Sequence, residues 1–189
     1  LDVFEQEMAL SVREQYDALM EQVPASIKRK HISGKMDPEL GVDKGLKFSR
    51  AAFTLDVLFY HEDGFRLEPK VFTKTTEKLA DQTRRVPSTS SKDHLPFFFN
   101  ECPFTMELAE YIKAERLLGT NIRGYKKKYI VDGKIRPTYG LTVAVTGRSN
   151  SSDPNGSNMP KRGHLAAAYR RMFVAPEGVY QAGEYIECT

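Results

Sequence analysis

Between residues 2 and 23, apolar side chains return every third or fourth position: Phe4, Met8, Val12, Tyr16, Leu19, Met20 and Val23. That period predicts an amphipathic helix whose stripe is buried as core. Asp2 with Glu5 three residues later has the spacing of a capping box, and Pro24 ends the run. Over 24–47 the period is lost. Pro24, Gly34, Pro38, Gly41 and Gly45 predict an extended loop, and a loop of that length is usually functional or disordered. Helical spacing resumes over 49–60, with Phe48, Ala52, Leu55 and Phe59 on the apolar side and Ser49 as candidate N-cap, before Gly64 breaks the chain.

Residues 70–92 read as irregular and basic. Ser88, Thr89 and Ser90 are expected to cap a short helix running toward Leu95, with Pro96 as its stop. Thr105 opens a longer helix to about Ile122, with Leu108, Ile112 (or Tyr111), Leu118 and Ile122 facing inward. Beyond Arg123, Lys126, Lys127 and Lys128 the period changes from helical to alternating. Asp132-Gly133 between two short apolar runs predicts a two-residue hairpin. Tyr139, Leu141, Val143 and Val145 then alternate along a half-buried strand. A short helix is expected over 165–173 and a further strand over 179–187. Together these elements predict an α+β fold: a mostly helical region over 1–128 with a basic tip loop at about 24–47, then 129–189 as a hairpin and the first strands of an antiparallel sheet.

Composition narrows the class without naming a function. The 189 residues, 40% hydrophobic and 28% charged, suit one substantial globular domain or two small ones. No run has the length of a membrane-spanning helix, so no membrane partner is expected. Leu1 in place of an initiating methionine reads as an excised or processed piece. Cys102 and Cys188 lie far apart with no C-x-x-C pairing, which points away from a zinc site or disulfide framework and toward a reducing cytoplasm. His61, His94 and His164 show no ligand spacing, and no serine or cysteine has a recognisable base partner.

Charge is segregated along the chain, although the net is only +3. Residues 1–23 carry one arginine against six acids; residues 24–47 carry six bases against three acids, 70–92 six against two, and 113–136 eight against two. Each basic cluster alone reads equally as a solvated face, but three together favour a polyanionic partner. Lys28, Arg29 and Lys30, followed by His31, would sit on the expected loop, where mobile cations can neutralise phosphates. The acidic first helix leaves open a structural adaptor that binds protein instead.

The stretch with least apolar surface is TGRSNSSDPNGSNMPKRG, residues 146–163, followed by YRRMFVAPEG, residues 169–178. Asn155 and Asn158 have two readings on residues alone: turn chemistry, since D-P-N-G is a good turn, or donors and acceptors for a polar partner. Arg170 and Arg171 read as solvated residues or as partners of local acids such as Glu177. The segment resembles the thumb-to-palm junction of family A (polymerase I-type) DNA polymerases, whose pattern is roughly TGRxSSSDPNxQNxPxR. Weaker collinear likenesses precede it: FSRAAFTLDVLF, KTTEK with PSTSS, and ELAEYIKAERLLGTNI.

That resemblance implies a fragment of a phage-like or bacterial DNA-directed DNA polymerase, with residues 1–128 as thumb and 129–189 as the start of a palm. Its partners would be primer-template DNA and the remainder of the polymerase chain, with deoxynucleoside triphosphates only in the complete enzyme. Arg148 would lie at the minor groove, Asn155 and Asn158 at sugar, phosphate or template edges, Arg162 on a backbone phosphate, and Lys28, Arg29 and Lys30 on phosphates from the thumb tip. The family's chemistry uses two Mg²⁺ ions held by aspartates. Here its D-Y-S-x-I-E motif is replaced by A-G-E-Y-I-E, residues 182–187. Glu184 is the candidate metal ligand in place of aspartate, and Glu187 matches the glutamate that selects against a ribose 2′-hydroxyl. The second metal-binding aspartate and the fingers helix would lie beyond residue 189, so the isolated residues are expected to be inactive in nucleotide transfer. The departure in 182–187 supports a second reading: a catalytically inactive nucleic-acid-binding module descended from the same fold.

Overall fold

A computed structural model describes residues 2–79, 81–140, 148–156, 159 and 164–174. It divides into two compact units, one spanning Asp2–Thr120 and the other running from Asn121 onward.

The first unit is helical. α1, Asp2–Gln22, buries Met8, Val12, Tyr16 and Leu19 along its stripe, and Val23 just beyond is buried too. Asp2 is itself the first helical residue, one position inside its expected capping place. α1 packs against α5, Pro103–Arg116, which contributes Phe104, Leu108, Ala109, Tyr111 and Ala114. Phe48 lies at the centre of this seam. Its ring centroid is 5.2 Å from Phe53, 5.7 Å from Tyr111 and 6.0 Å from both Tyr16 and Phe104, in the edge-on or tilted geometries that aromatic pairs prefer.

Residues 24–47 are folded, which corrects the expectation of an extended loop. Ala25–His31 form α2, because Ile27 buries completely beneath a turn rich in good helix formers. The remainder closes on itself through two aspartates. Asp43 accepts hydrogen bonds from the backbone N–H of Ser33, Gly34 and Gly45 and from the Ser33 hydroxyl. Asp37 accepts from the N–H groups of Glu39 and Leu40 and receives the Lys47 ammonium at 3.1 Å. The Arg13 guanidinium ties this lobe to α1 by donating to the carbonyls of Leu40 and Gly41.

α3, Ala51–Leu55, continues into a π-helical turn at Asp56–Tyr60 that buries Asp56, Val57, Leu58 and Phe59. Arg50, not Ser49, occupies the N-cap without a side-chain bond, and Ala52 is exposed. Phe53 and Val57, four residues apart, form the inward stripe in place of Ala52. Residues 70–92 carry a short helix, α4, Lys74–Glu77, and a 3₁₀ turn at Gln82–Arg84. The helix expected to run toward Leu95 is a turn over 91–94, closed by the Ser90 hydroxyl oxygen accepting from the Asp93 N–H, and the helix that follows has His94 at its N-cap with no side-chain bond. Pro96, expected as a stop, lies instead in the first turn of the 3₁₀ helix Leu95–Phe98, where its missing N–H costs nothing.

The helix of α5 passes through a π-helical segment, Leu117–Arg123, into α6, Gly124–Lys128. The boundary between the two units falls inside that segment. In the second unit, β1, Ile130–Val131, pairs antiparallel with β2, Lys134–Ile135, in the register Val131↔Lys134. Asp132 and Gly133 both have positive φ (52° and 70°), as a type I′ hairpin requires. β3, Thr138–Gly140, pairs with β4, Asn150–Ser152, and α7 spans His164–Arg171. Tyr139 is exposed, against the half-buried position expected for it. Residues 141–145 of that expected strand and the strand expected over 179–187 lie outside the described residues. The architecture is α+β, with small antiparallel sheets in the second unit.

Candidate nucleic-acid interface

In the second unit the chemistry concentrates around β4 and the turn after it. Arg148 is exposed, two residues ahead of the strand. Ser151, paired with Tyr139, is 3% exposed although its neighbours Asn150 and Ser152 are exposed, as strand alternation requires. Its hydroxyl donates to the Pro154 carbonyl at 3.3 Å and accepts from the Gly156 N–H at 3.1 Å. The hydroxyl of Tyr125, on α6, donates to the Asn155 carbonyl at 3.4 Å. Three successive residues of the turn are thereby held by two side-chain hydroxyls, with Asn155 half-buried in the middle.

Tyr125 is itself set by aromatic contacts, its ring lying edge-on to Tyr129 at 5.5 Å and to Tyr169 at 6.4 Å. Burial, then the neighbouring Tyr129, pushes its phenol pKa up, so it stays a hydroxyl donor across the physiological range. Tyr169 is buried and donates to the Asn121 carbonyl at 3.3 Å. The same short helix, α6, presents Lys126, Lys127 and Lys128 at its C-terminal turn, all exposed, where cations complement the helix dipole. Sequence reasoning missed Tyr125 and Ser151 as site residues. The signal available was the serine pair ahead of D-P-N, whose alternation places one hydroxyl inward.

In the first unit, Lys28, Arg29 and Lys30 lie on α2 and not on a mobile tip, which corrects their expected setting. Arg29 is exposed and Lys28 half-buried. Lys30 is engaged within the unit: its ammonium is 2.6 Å from the Asp56 carboxylate, which also lies 2.8 Å from His31 Nε2. Burial alone would raise the Asp56 pKa, but the hydrogen bonds from Lys30 and His31 outweigh it and hold the carboxylate below its ordinary range. The reason lies in α3's π turn, which buries Asp56 and so demands a counter-charge.

His94 has a structural explanation. Its ring is fully buried and stacked on Phe59 at 5.5 Å. Nε2 accepts from the N–H groups of Lys70 and Val71, and Nδ1–H donates to the Ser88 carbonyl at 2.5 Å. Only the neutral ring can do both, and burial pushes its pKa down despite the Ser88 bond.

Asn158, Arg162, Glu184 and Glu187 lie outside the described residues. Among the described residues, no group of three or more His, Cys, Asp or Glu side chains is placed to hold a metal ion. The described residues therefore do not include a donor set for the magnesium that the family pattern implies. Among those same residues no helix is long and apolar enough to cross a membrane.

Comparison with known proteins places this helical unit and these small antiparallel sheets in a known family. The family model for DNA polymerase family A matches residues 66–185, well over half of the chain. The chain belongs to DNA polymerase family A. DNA polymerase I of Mycobacterium tuberculosis (strain ATCC 25618 / H37Rv) is 33% identical over 92 residues, 48% of this chain and 10% of that protein. The DNA polymerase of Bacillus phage SP01 is 27% identical over 139 residues, 74% of this chain and 14% of its own length. The chain thus spans about a tenth to a seventh of the curated relatives it matches. Among solved structures, the POL domain of Pol1 from M. smegmatis, in complex with DNA primer-template and dNTP, aligns with 91% of this chain and 26% of its own, with a TM-score of 0.55 and 23% identity. That likeness establishes the shared fold.

Proposed function

We propose that this chain is the primer-template-holding part of a DNA-directed DNA polymerase, with the helical unit acting as thumb and the unit from Asn121 onward as the start of the palm. The observation that carries the reading is Arg148, exposed beside the braced turn of Asn155 inside the segment matched by the family model. A forked guanidinium at a duplex minor groove reaches acceptors common to every base pair, which suits an enzyme that must hold all sequences alike. Arg29 and Lys28 on α2, with Lys127 and Lys128 on α6, offer cations to phosphates; Lys30 serves chiefly as the counter-charge of Asp56. Arg162 and Asn158 complete the DNA contacts proposed from the sequence. In the complete enzyme, deoxynucleoside triphosphates are the substrates and Mg²⁺ the cofactor, with Glu184 as a metal ligand and Glu187 as the sugar-selecting group.

The test is binding of a primer-template duplex to this chain as salt is raised. Engagement of about three phosphates gives a slope of log K against log salt of about −3. Affinity indifferent to salt, or unchanged in the Lys28→Ala/Arg148→Ala double variant, would refute it. The replacement of D-Y-S-x-I-E by A-G-E-Y-I-E favours a second reading, a module that holds duplex without transferring nucleotides. Primer extension by the full-length protein separates the two: extension lost on Glu184→Ala supports the enzyme, and duplex binding without extension supports the module.

A further inference from the structure

We infer that Ser151 and Tyr125 are positioning residues that set the Asn155 carboxamide for duplex DNA; this rests on the reading of the chain as a DNA-holding module.

A turn rich in Ser, Asp, Asn and Gly has little apolar surface to fix it, so its geometry depends on polar braces. Here the braces come from outside the turn. Ser151 lies in a strand opposite Tyr139, only 3% exposed, and its single hydroxyl both donates to Pro154 and accepts from Gly156. Tyr125 comes from a helix and holds the carbonyl of Asn155 itself. A Cβ added at Gly156 would stand 3.6 Å from the Ser151 Oγ and 3.8 Å from the Tyr139 hydroxyl, so the turn is seated against these groups. The braces act on the backbone on both sides of Asn155. Loss of either hydroxyl therefore releases the peptide that aims the carboxamide, without removing any atom offered to DNA. Positioning of this kind fixes a donor within the narrow tolerance a hydrogen bond requires.

The experiment measures primer-template affinity and thermal midpoint for Ser151→Ala, Tyr125→Phe, Asn155→Ala and the two doubles with Asn155→Ala. Ser151→Ala is expected to weaken binding about tenfold and Tyr125→Phe about threefold, the scale of one or two lost neutral hydrogen bonds. Each double should bind within about twofold of Asn155→Ala alone, because a brace has no effect once its target is gone. Ser151→Thr, which keeps the hydroxyl, should restore affinity. Where Ser151→Ala does not fold, the Tyr125→Phe cycle carries the same test. Additive losses, or a lowered midpoint with affinity unchanged, would leave the hydroxyls as fold braces only and overturn the inference while duplex binding stands. Failure of the unsubstituted chain to bind duplex would overturn the functional reading and this inference with it.

Discussion

In Asp2–Thr120 several basic side chains are tied to carboxylates or carbonyls of the fold, whereas among the described residues from Asn121 onward Lys127, Lys128 and Arg148 are exposed and hydroxyls brace the backbone. Lys30 neutralises buried Asp56, Lys47 bridges Asp37 and Glu115, and Arg13 binds the carbonyls of the folded lobe. Lys127, Lys128 and Arg148 stay exposed, while Ser151, Tyr125 and Tyr169 hold the backbone through neutral bonds. The first unit buries an aromatic seam around Phe48, and its ion pairs at Asp56 and Asp37 hold carboxylates that are largely buried and need a counter-charge. Basic residues close in sequence therefore differ in availability, and a count of lysines overstates the first unit as a polyanion-binding surface.

The comparison breaks most sharply at His94. His94→Ala removes a stacked ring and strands one carbonyl and two N–H groups, for a loss of about 3–5 kcal/mol in denaturant unfolding. If the loss is under about 1 kcal/mol, the first unit's core is not built as described. The same substitution at two glycines sharpens it next. At Gly45 a new Cβ would stand 1.9 Å from the His31 carbonyl oxygen, so Gly45→Ala must move backbone and should cost about 2–3 kcal/mol. At Gly133 nothing lies within 4 Å, and only the positive φ of 70° opposes alanine, for about 1 kcal/mol.

Acid should lower the first unit's stability over two pH ranges, one set by His94 and one by its carboxylates. The His94 pKa is lowered by folding, so the unfolded chain binds the extra proton and stability falls as pH drops below about 6.5. Folding lowers the Asp43 pKa from 3.8 to about 2 through the Ser33 N–H bond, opposed by desolvation and reinforced by the Ser33 hydroxyl and the Gly45 and Gly34 N–H groups. Its contribution is present above 3.8 and is lost as pH falls through that range toward 2. A thermal midpoint measured against pH should fall over both ranges, and His94→Asn should flatten the upper one. The smallest effect is at Glu115, whose pKa burial raises despite Lys47. Glu115→Gln removes a desolvated charge and should raise the midpoint slightly, by about 0.5 kcal/mol of stability at neutral pH; a fall of 1 kcal/mol or more would show the Lys47 pair to be net stabilising.

The sequence by itself determined what local periodicity and turn chemistry dictate. The α1 stripe, the inward face of α5 and the I′ turn at Asp132-Gly133 all lie where their spacing places them, and S-S-D-P-N marked the family segment. These features depend on contacts within a few residues, so a linear pattern carries them. Tertiary structure alone decided the lobe of 24–47, the π turn that buries Asp56 and the pairing of Lys30 with it. The lobe and the ion pair depend on partners distant in the chain: Arg13 for Leu40 and Asp56 for Lys30. Glycine and proline spacing announced a break in helix period, but only packing against α1 could show that the segment folds around two aspartates, because those bonds form once distant backbone is brought within reach.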